Sequence, residues 1–254
     1  MKDTAIRALD KKPFGGIDAS ALRLIAISAM LLDHLWGTVV PGNQWMTCVG
    51  RIAFPIFAFQ LVEGYFHTKS LKKYLLRMLA FAIISEIPFD LMTAGTVFYP
   101  FHQNVIFTLL IGLLMIAGIE KVRQKNRVLL TISAGTGIAA AACLAAAFGF
   151  VDYMWYGILT VLIFYVFRGF NGAWIFQLIG LFLVNGVLFE GIEYAVSVFG
   201  LSFFVQGQAF AVLALIPIWL YNGKKGFDNK FAQYSFYVFY PLHMLILGLI
   251  MRLG

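Results

Sequence analysis

Charge is scarce in this chain. Asp, Glu, Lys and Arg make up 12% of its 254 residues, while 61% are hydrophobic and the mean hydropathy is +0.85. A soluble domain carries roughly a quarter of its residues charged, so a soluble fold is excluded. Cysteine is scarcer still. Cys48 and Cys143 lie in or beside apolar runs, which indicates neither a disulfide framework nor a cysteine metal motif. The patterns Gly-x-x-x-x-Gly-Lys and Gly-x-Ser-x-Gly are absent, and with them a P-loop and a hydrolase nucleophile elbow. The amino end, MKDTAIRALDKKPFGGIDAS, lacks the apolar core of a signal peptide, so the first hydrophobic segment is expected to stay attached.

What is present is apolar sequence in runs of roughly 20 residues, the length that crosses about 30 Å of hydrocarbon as a helix. The pattern predicts an all-α, polytopic transmembrane bundle of about nine helices, at 21–40, 44–66, 72–93, 104–121, 128–149, 155–168, 174–189, 203–221 and 232–251. The sixth and seventh are short and lie either side of Gly169 and Gly172. A polar tail, 1–19, precedes a single membrane domain, 20–254, with no internal repeat.

The basic residues are distributed unevenly. The tail to Arg23, the loop carrying Lys69, Lys72, Lys73 and Arg77, the loop carrying Lys121, Arg123, Lys125 and Arg127, and Arg168, Lys224, Lys225 and Lys230 all fall on one side. Only Arg51 and Arg252 fall elsewhere. Positive loops mark the cytoplasmic side, which predicts an inner-membrane protein with its amino end inside and its carboxyl end outside. Such loops also attract anionic headgroups. Lys72, Lys73, Arg77 and Arg123 are in addition candidates to grip a phosphorylated cytosolic cofactor, and Glu63 to line its entry. The net charge of +7 comes with no recognition module for nucleic acid.

Against this apolar background the ionisable residues inside spans stand out. Asp33 and His34 sit beyond the midpoint of the first helix, in AMLLDHLWG. Arg51 sits near the outer end of the second. Glu86 and Asp90, four apart in SEIPFDL, share one helix face, with Pro88 loosening the turn between them. His102, Gln103 and Asn104 lead into the fourth helix, and His243 lies in FYPLHMLIL. An ionised side chain at a span centre costs roughly 2.5–3.5 kcal/mol, so these groups are expected to pair, protonate or face a hydrated cavity.

His34 has the chemistry of a proton acceptor at neutral pH. Consecutive helix residues point about 100° apart, so Glu86 or Asp90 is a freer orienting partner for it than Asp33. Arg51, Gln103 and Asn104 can donate hydrogen bonds to a developing oxyanion. His34, His102 and the carboxylates also allow a metal to be considered, but no histidine pair has i,i+4 spacing, and no metal is expected. The rival class is a proton-coupled small-molecule transporter, since intramembrane carboxylates and histidines also relay protons. A third is a non-catalytic assembly protein in which the polar residues only specify packing.

The stretches LRLIAISAMLLDHLW, GRIAFPIFAFQLVEGY, SEIPFDL, QNVIFTLLIGLL and YNGKKG with FYVFYPLHMLIL together resemble the TraX family, from about residue 17 to residue 251. The family's namesake acetylates the amino terminus of the F-pilus pilin subunit. The family is similar to transmembrane acyltransferases that carry an acyl group from cytosolic acyl-CoA to an acceptor beyond the membrane. The resemblance implies that acetyl-CoA or another acyl-CoA is the co-substrate and that an amine or hydroxyl is the acceptor (a small molecule, a glycan or a peptide N-terminus). Its motifs fall on Asp33 and His34, on Arg51 and Pro55, on Glu86, Pro88 and Asp90, on Gln103 and Asn104, and on Pro241 to His243. It does not carry the identity of the acceptor.

Overall fold

A computed structural model describes residues 16–198, 201–226 and 230–253. Most of the polar tail, with Lys2, Arg7, Lys11 and Lys12, lies outside the described residues. The chain is predominantly helical. Helix α1 (Ala19–Thr38) starts where the Asp18 carboxylate accepts from the Ala21 amide at 2.8 Å, a side-chain N-cap. Helices α2 (Gln44–Gly50) and α3 (Ala53–His67) follow. The single helix expected at 44–66 is therefore broken at Arg51 and Ile52. Pro55 explains the break: it has no N–H to give the Arg51 carbonyl, and its ring crowds that oxygen.

Helix α4 (Leu71–Thr93) is capped by Ser70 and contains Pro88. Helices α5 (Val105–Arg123), α6 (Val128–Phe148) and α7 (Met154–Val166) come next. Helix α8 (Ala173–Phe182) runs on into a π-helical turn, Leu183–Leu188. Among the described residues, five stretches are long and apolar enough to cross a membrane: α1, α2 with α3, α5, α6, and Ser235–Leu253. The last belongs to α10 (Lys230–Leu253), which contains Pro241. Lipid-facing character is plainest on α6, where Val128, Leu129 and Phe148 are each about three-quarters exposed or more. An apolar surface of that extent on a lone helix suits hydrocarbon.

The segment after α8 departs from expectation. Strands β1 (Glu193–Val198) and β2 (Leu201–Gln206) form an antiparallel hairpin in which Glu193 opposes Gln206. The helix expected over 203–221 thus opens as strand, then continues as a 3-10 turn (Gly207–Ala214) and the short α9 (Leu215–Trp219). The sequence SFFVQ is rich in aromatic and β-branched residues, which favour a pleated strand as readily as an apolar helix.

Contacts divide the chain into two interleaved compact units. Of the described residues, the first includes 16–60 and 166–198 with 201–226, and the second 61–165 and 234–253. In the first, Leu22, Ala26, Phe54, Leu181 and Leu215 are buried. The chain entering α1 is held by backbone bonds, Ile17 to Leu220 and Ala19 to Lys224. In the second, close approach rests on glycines. A Cβ on Gly112 would meet Val161 at 3.1 Å, and one on Gly248 would meet the Leu91 backbone at 3.0 Å.

Two helices of the first unit approach closely at Gly50, where an added Cβ would fall 2.4 Å from the Asp33 Cβ. Gly50→Ala is expected to force α1 and α2 apart and to destabilise by about 1–3 kcal/mol. Gly37→Ala is the matched control, because nothing lies within 4 Å of that position and the change relieves helix entropy by roughly 0.5–1 kcal/mol. Thermal melts of both variants in detergent check the contrast. Equal melting temperatures would show that the two helices do not rely on that contact.

Candidate active site

The helix break leaves Arg51 as the C-cap of α2, with its side chain directed to polar partners from separate elements. Nη2 donates to the Asp33 carboxylate of α1 at 3.1 Å and to Thr47 Oγ1 at 2.6 Å. Nη1 donates to Gln208 Oε1 at 3.4 Å. Gln208 in turn donates to Asn185 Oδ1 at 3.3 Å, and Asn185 to the Leu181 carbonyl at 3.1 Å. Asn185 stands in the π turn of α8, an irregularity that recurs at functional positions. Thr47, Gln208 and Asn185 are almost wholly buried. The arginine and its aspartate remain about one-fifth exposed.

Arg51 borders a cavity of about 210 Å³. Thr47, Cys48, Arg51, Tyr194 and Gln208 supply polar groups to its wall, and Phe189 and Ile192 supply apolar surface. The wall is mostly apolar, and the polar groups set into it include donors: the Arg51 guanidinium, the Thr47 and Tyr194 hydroxyls and the Cys48 thiol. Such a lining suits a ligand oxygen that carries or gains negative charge. His34 follows Asp33 on α1, half-buried, its carbonyl accepting from Thr38 Oγ1 at 2.5 Å. On the same helix the Trp36 indole N–H is buried without a partner among the described residues.

A second polar cluster belongs to the other unit. Glu86 Oε2 accepts from the Asn104 amide N–H at 3.3 Å and from the Asn104 side-chain nitrogen. Asn104 also donates to the Ala82 carbonyl at 2.9 Å and caps α5 through the Ile106 amide at 3.0 Å. Asp90, 1% exposed, accepts from the Tyr99 amide at 2.8 Å. His102 stands 3.6 Å from the Asp152 carboxylate and edge-on to Phe89. Gln103 donates from its side chain to Pro100 at 2.8 Å, and its backbone bonds to Phe150 and Asp152. Those bonds hold a turn in which Phe150, Tyr153 and Met154 have positive φ, 51°, 61° and 40°, conformations that cost roughly 1–3 kcal/mol each.

Thus Asp33 and Arg51 come together, and separately Glu86, Asp90, His102, Gln103 and Asn104 do. The side-chain amide of Gln103 serves the Pro100 carbonyl of its own loop, and that of Asn104 serves the Ala82 carbonyl and Glu86 of α4. Glu86 Oε1 and Asp90 Oδ1 are buried without hydrogen-bond partners among the described residues. His243 is buried and donates from Nδ1 to the Phe239 carbonyl at 2.8 Å, stacked on the Phe239 ring. That bond lies beside Pro241, where the helix has lost one of its own.

The basic candidates lie at helix ends of the second unit. Lys72 and Lys73 are exposed in the first turn of α4, and the Arg77 guanidinium lies 5.9 Å from the Tyr74 ring centre. Arg123 donates to Glu120 at 3.1 Å, and the Tyr165 hydroxyl to the same oxygen at 2.8 Å. Glu63 is buried, 3.8 Å from His67 Nδ1. Among the described residues no group of three or more His, Cys, Asp or Glu side chains is placed to hold a metal ion.

Sequence reasoning missed Thr47, Asn185, Gln208 and Tyr194 around Arg51, and Asp152 beside His102. Asn185 and Gln208 did carry a signal, each a carboxamide within an apolar run. A polar group in a span needs a partner. Tyr194 carried none, because its place depends on a hairpin that the apolar pattern does not announce.

The family model described as TraX protein matches residues 18–251. The chain is 30% identical to a probable fimbrial assembly protein FimC, serogroup H1, of Dichelobacter nodosus, an alignment covering 91% of this chain and 95% of that protein. No solved structure matches.

His102 lies in the loop between α4 and α5, outside the spanning helices. The Asp152 carboxylate beside it holds its imidazole above the usual value, against the effect of burial. A histidine raised on folding contributes stability below its unfolded pKa of about 6.5, and loses that contribution as pH rises through the folded value. Asp152→Asn is therefore expected to lower the melting temperature most in mildly acidic buffer. The gap from wild type should close as pH rises beyond the raised value. At 43% and 32% exposure the pair is worth at most about 1 kcal/mol. A gap that widens with pH would reverse the assignment.

Proposed function

The chain belongs to the TraX family, and from that premise we propose a residue-level route for its reaction. It is an acyl-CoA-dependent acyltransferase of the inner membrane with a multi-pass topology. The reading supported best is that the cavity beside Arg51 receives the thioester, with His34 as the general base. The observation that carries it is the Arg51 guanidinium, held by Asp33, Thr47 and Gln208 at the wall of the cavity.

The proposed orientation follows the basic loops: amino end inside, carboxyl end outside. Acyl-CoA then approaches from the cytosol, where Lys72, Lys73 and Arg77 offer charge to its phosphates and Glu63 and Arg123 border the same helix ends. The acceptor is an amine or hydroxyl. The fimbrial-assembly relative supports a peptide N-terminus as one member of that class.

In the proposed step the acceptor's lone pair forms a bond to the thioester carbonyl carbon, and the C=O π pair moves onto oxygen beside Arg51. His34 takes the proton released by the acceptor. The oxygen pair then re-forms the carbonyl and the C–S bond breaks with its electrons on sulfur. His34 returns its proton to that sulfur, giving free CoA. Asp33 keeps the guanidinium aimed at the cavity. Transfer through an acyl-histidine uses the same groups.

A proton-coupled transporter is favoured by one observation, the unpartnered oxygens on the buried carboxylates of Glu86 and Asp90. CoA release separates the two readings. Purified protein is expected to release CoA from acetyl-CoA when a primary amine is supplied, and His34→Ala to lose about 10²–10⁴-fold of that rate while still folding. Unchanged turnover in the variant would remove His34 from the mechanism. Solute accumulation in proteoliposomes with no CoA release would support transport instead.

A further inference from the structure

Tyr194 is a wall of the Arg51 cavity that comes from neither helix α1 nor helix α2. It lies on strand β1, half-buried, and lines that cavity together with Cys48 of α2. Cys48 is three residues before Arg51, so the phenol and the guanidinium flank the same turn of helix.

Two features fix the ring there. The base of the hairpin is closed by Gln206, which donates to the Glu193 carboxylate at 2.6 Å, and by the Gly207 amide, which donates to the Ile192 carbonyl at 2.7 Å. Gly207 itself leaves the room the ring occupies. A Cβ at that position would lie 2.8 Å from Tyr194 Cε2 and 3.1 Å from the Ile192 carbonyl oxygen. The next residue, Gln208, receives the Arg51 hydrogen bond. One short segment therefore seats both the tyrosine and a partner of the arginine.

We propose that Tyr194 is a further catalytic residue, donating its phenolic hydrogen bond to the thioester carbonyl oxygen together with Arg51. The inference rests on the acyl-transfer reading of this cavity. As the π pair moves onto oxygen, the two donors meet a growing negative charge from separate elements, one helical and one strand-borne. The phenolic hydrogen stays on Tyr194 throughout, so the proton inventory of the reaction is unchanged. Burial pushes the phenol above its ordinary pKa, which keeps it a donor at neutral pH. An aligned donor is worth most where charge develops in a site shielded from water.

The test uses the full-length protein in detergent with acetyl-CoA labelled by carbon-13 at the thioester carbonyl. Infrared difference spectra should show the bound carbonyl stretch below that of free acetyl-CoA. Tyr194→Phe, which keeps the ring, should recover part of that displacement. The same variant should lose about 10²–10³-fold in kcat for CoA release with KM for acetyl-CoA little altered. Gly207→Ala should displace the ring and give a partial loss of the same kind. A Tyr194→Phe spectrum and turnover identical to wild type would overturn the role of Tyr194 and leave the cavity reading standing. Bound acetyl-CoA with an undisplaced carbonyl in wild type would remove both.

Discussion

A guanidinium in a membrane-embedded chain has to be answered by polar groups, and most of the geometry around the first cluster follows from that need. Arg51 falls where Pro55 prevents α2 and α3 from forming one continuous helix. The break frees the arginine from the ordinary helical surface. Gly50 admits Asp33 to close range, and Gln208 and Asn185 extend the hydrogen bonding into a 3-10 turn and a π turn. Irregular backbone at membrane depth is tolerated where it is buried in protein or lines a cavity. Here the irregular elements carry the partners of the arginine.

The second cluster meets a similar electrostatic demand with different means. Its acids are met largely by amides: Asn104 for Glu86 and the Tyr99 backbone for Asp90. Those donors come from loops whose own shape is held by bonds between Gln103, Phe150 and Asp152, and by residues kept at positive φ. The family's Glu-x-Pro-x-Asp and Gln-Asn motifs therefore have a local physical basis. Pro88 removes one helix bond between the two acids, and Asn104 acts at once as N-cap and carboxylate partner.

Much of this could be read beforehand. Hydropathy located the membrane helices to within a few residues, because a span has to hide its backbone from lipid and shows this as an unbroken apolar run. The rarity of charge marked Asp33, Arg51, Glu86 and Asp90, since each costs energy unless it is answered. Residues 193–206 were less readable. Aromatic and β-branched residues satisfy the hydropathy of a helix and the packing of a strand alike, so the hairpin, and Tyr194 with it, was hidden. Pro55 marks a place where a helix is disturbed, but it does not by itself announce a break that exposes a guanidinium.

The sequence by itself determined the solvent the protein occupies, the approximate limits of its long apolar helices, and the few ionisable groups that lipid would not tolerate alone. These depend on the transfer energy of individual residues, which is local. Tertiary structure decided which groups answer one another: Arg51 with Gln208, 157 residues later, and Glu86 with Asn104 rather than with a histidine. Pairing is set by where irregular turns bring backbone and side-chain donors within about 3 Å. Such a distance is a property of packed elements, and no single stretch of chain encodes it.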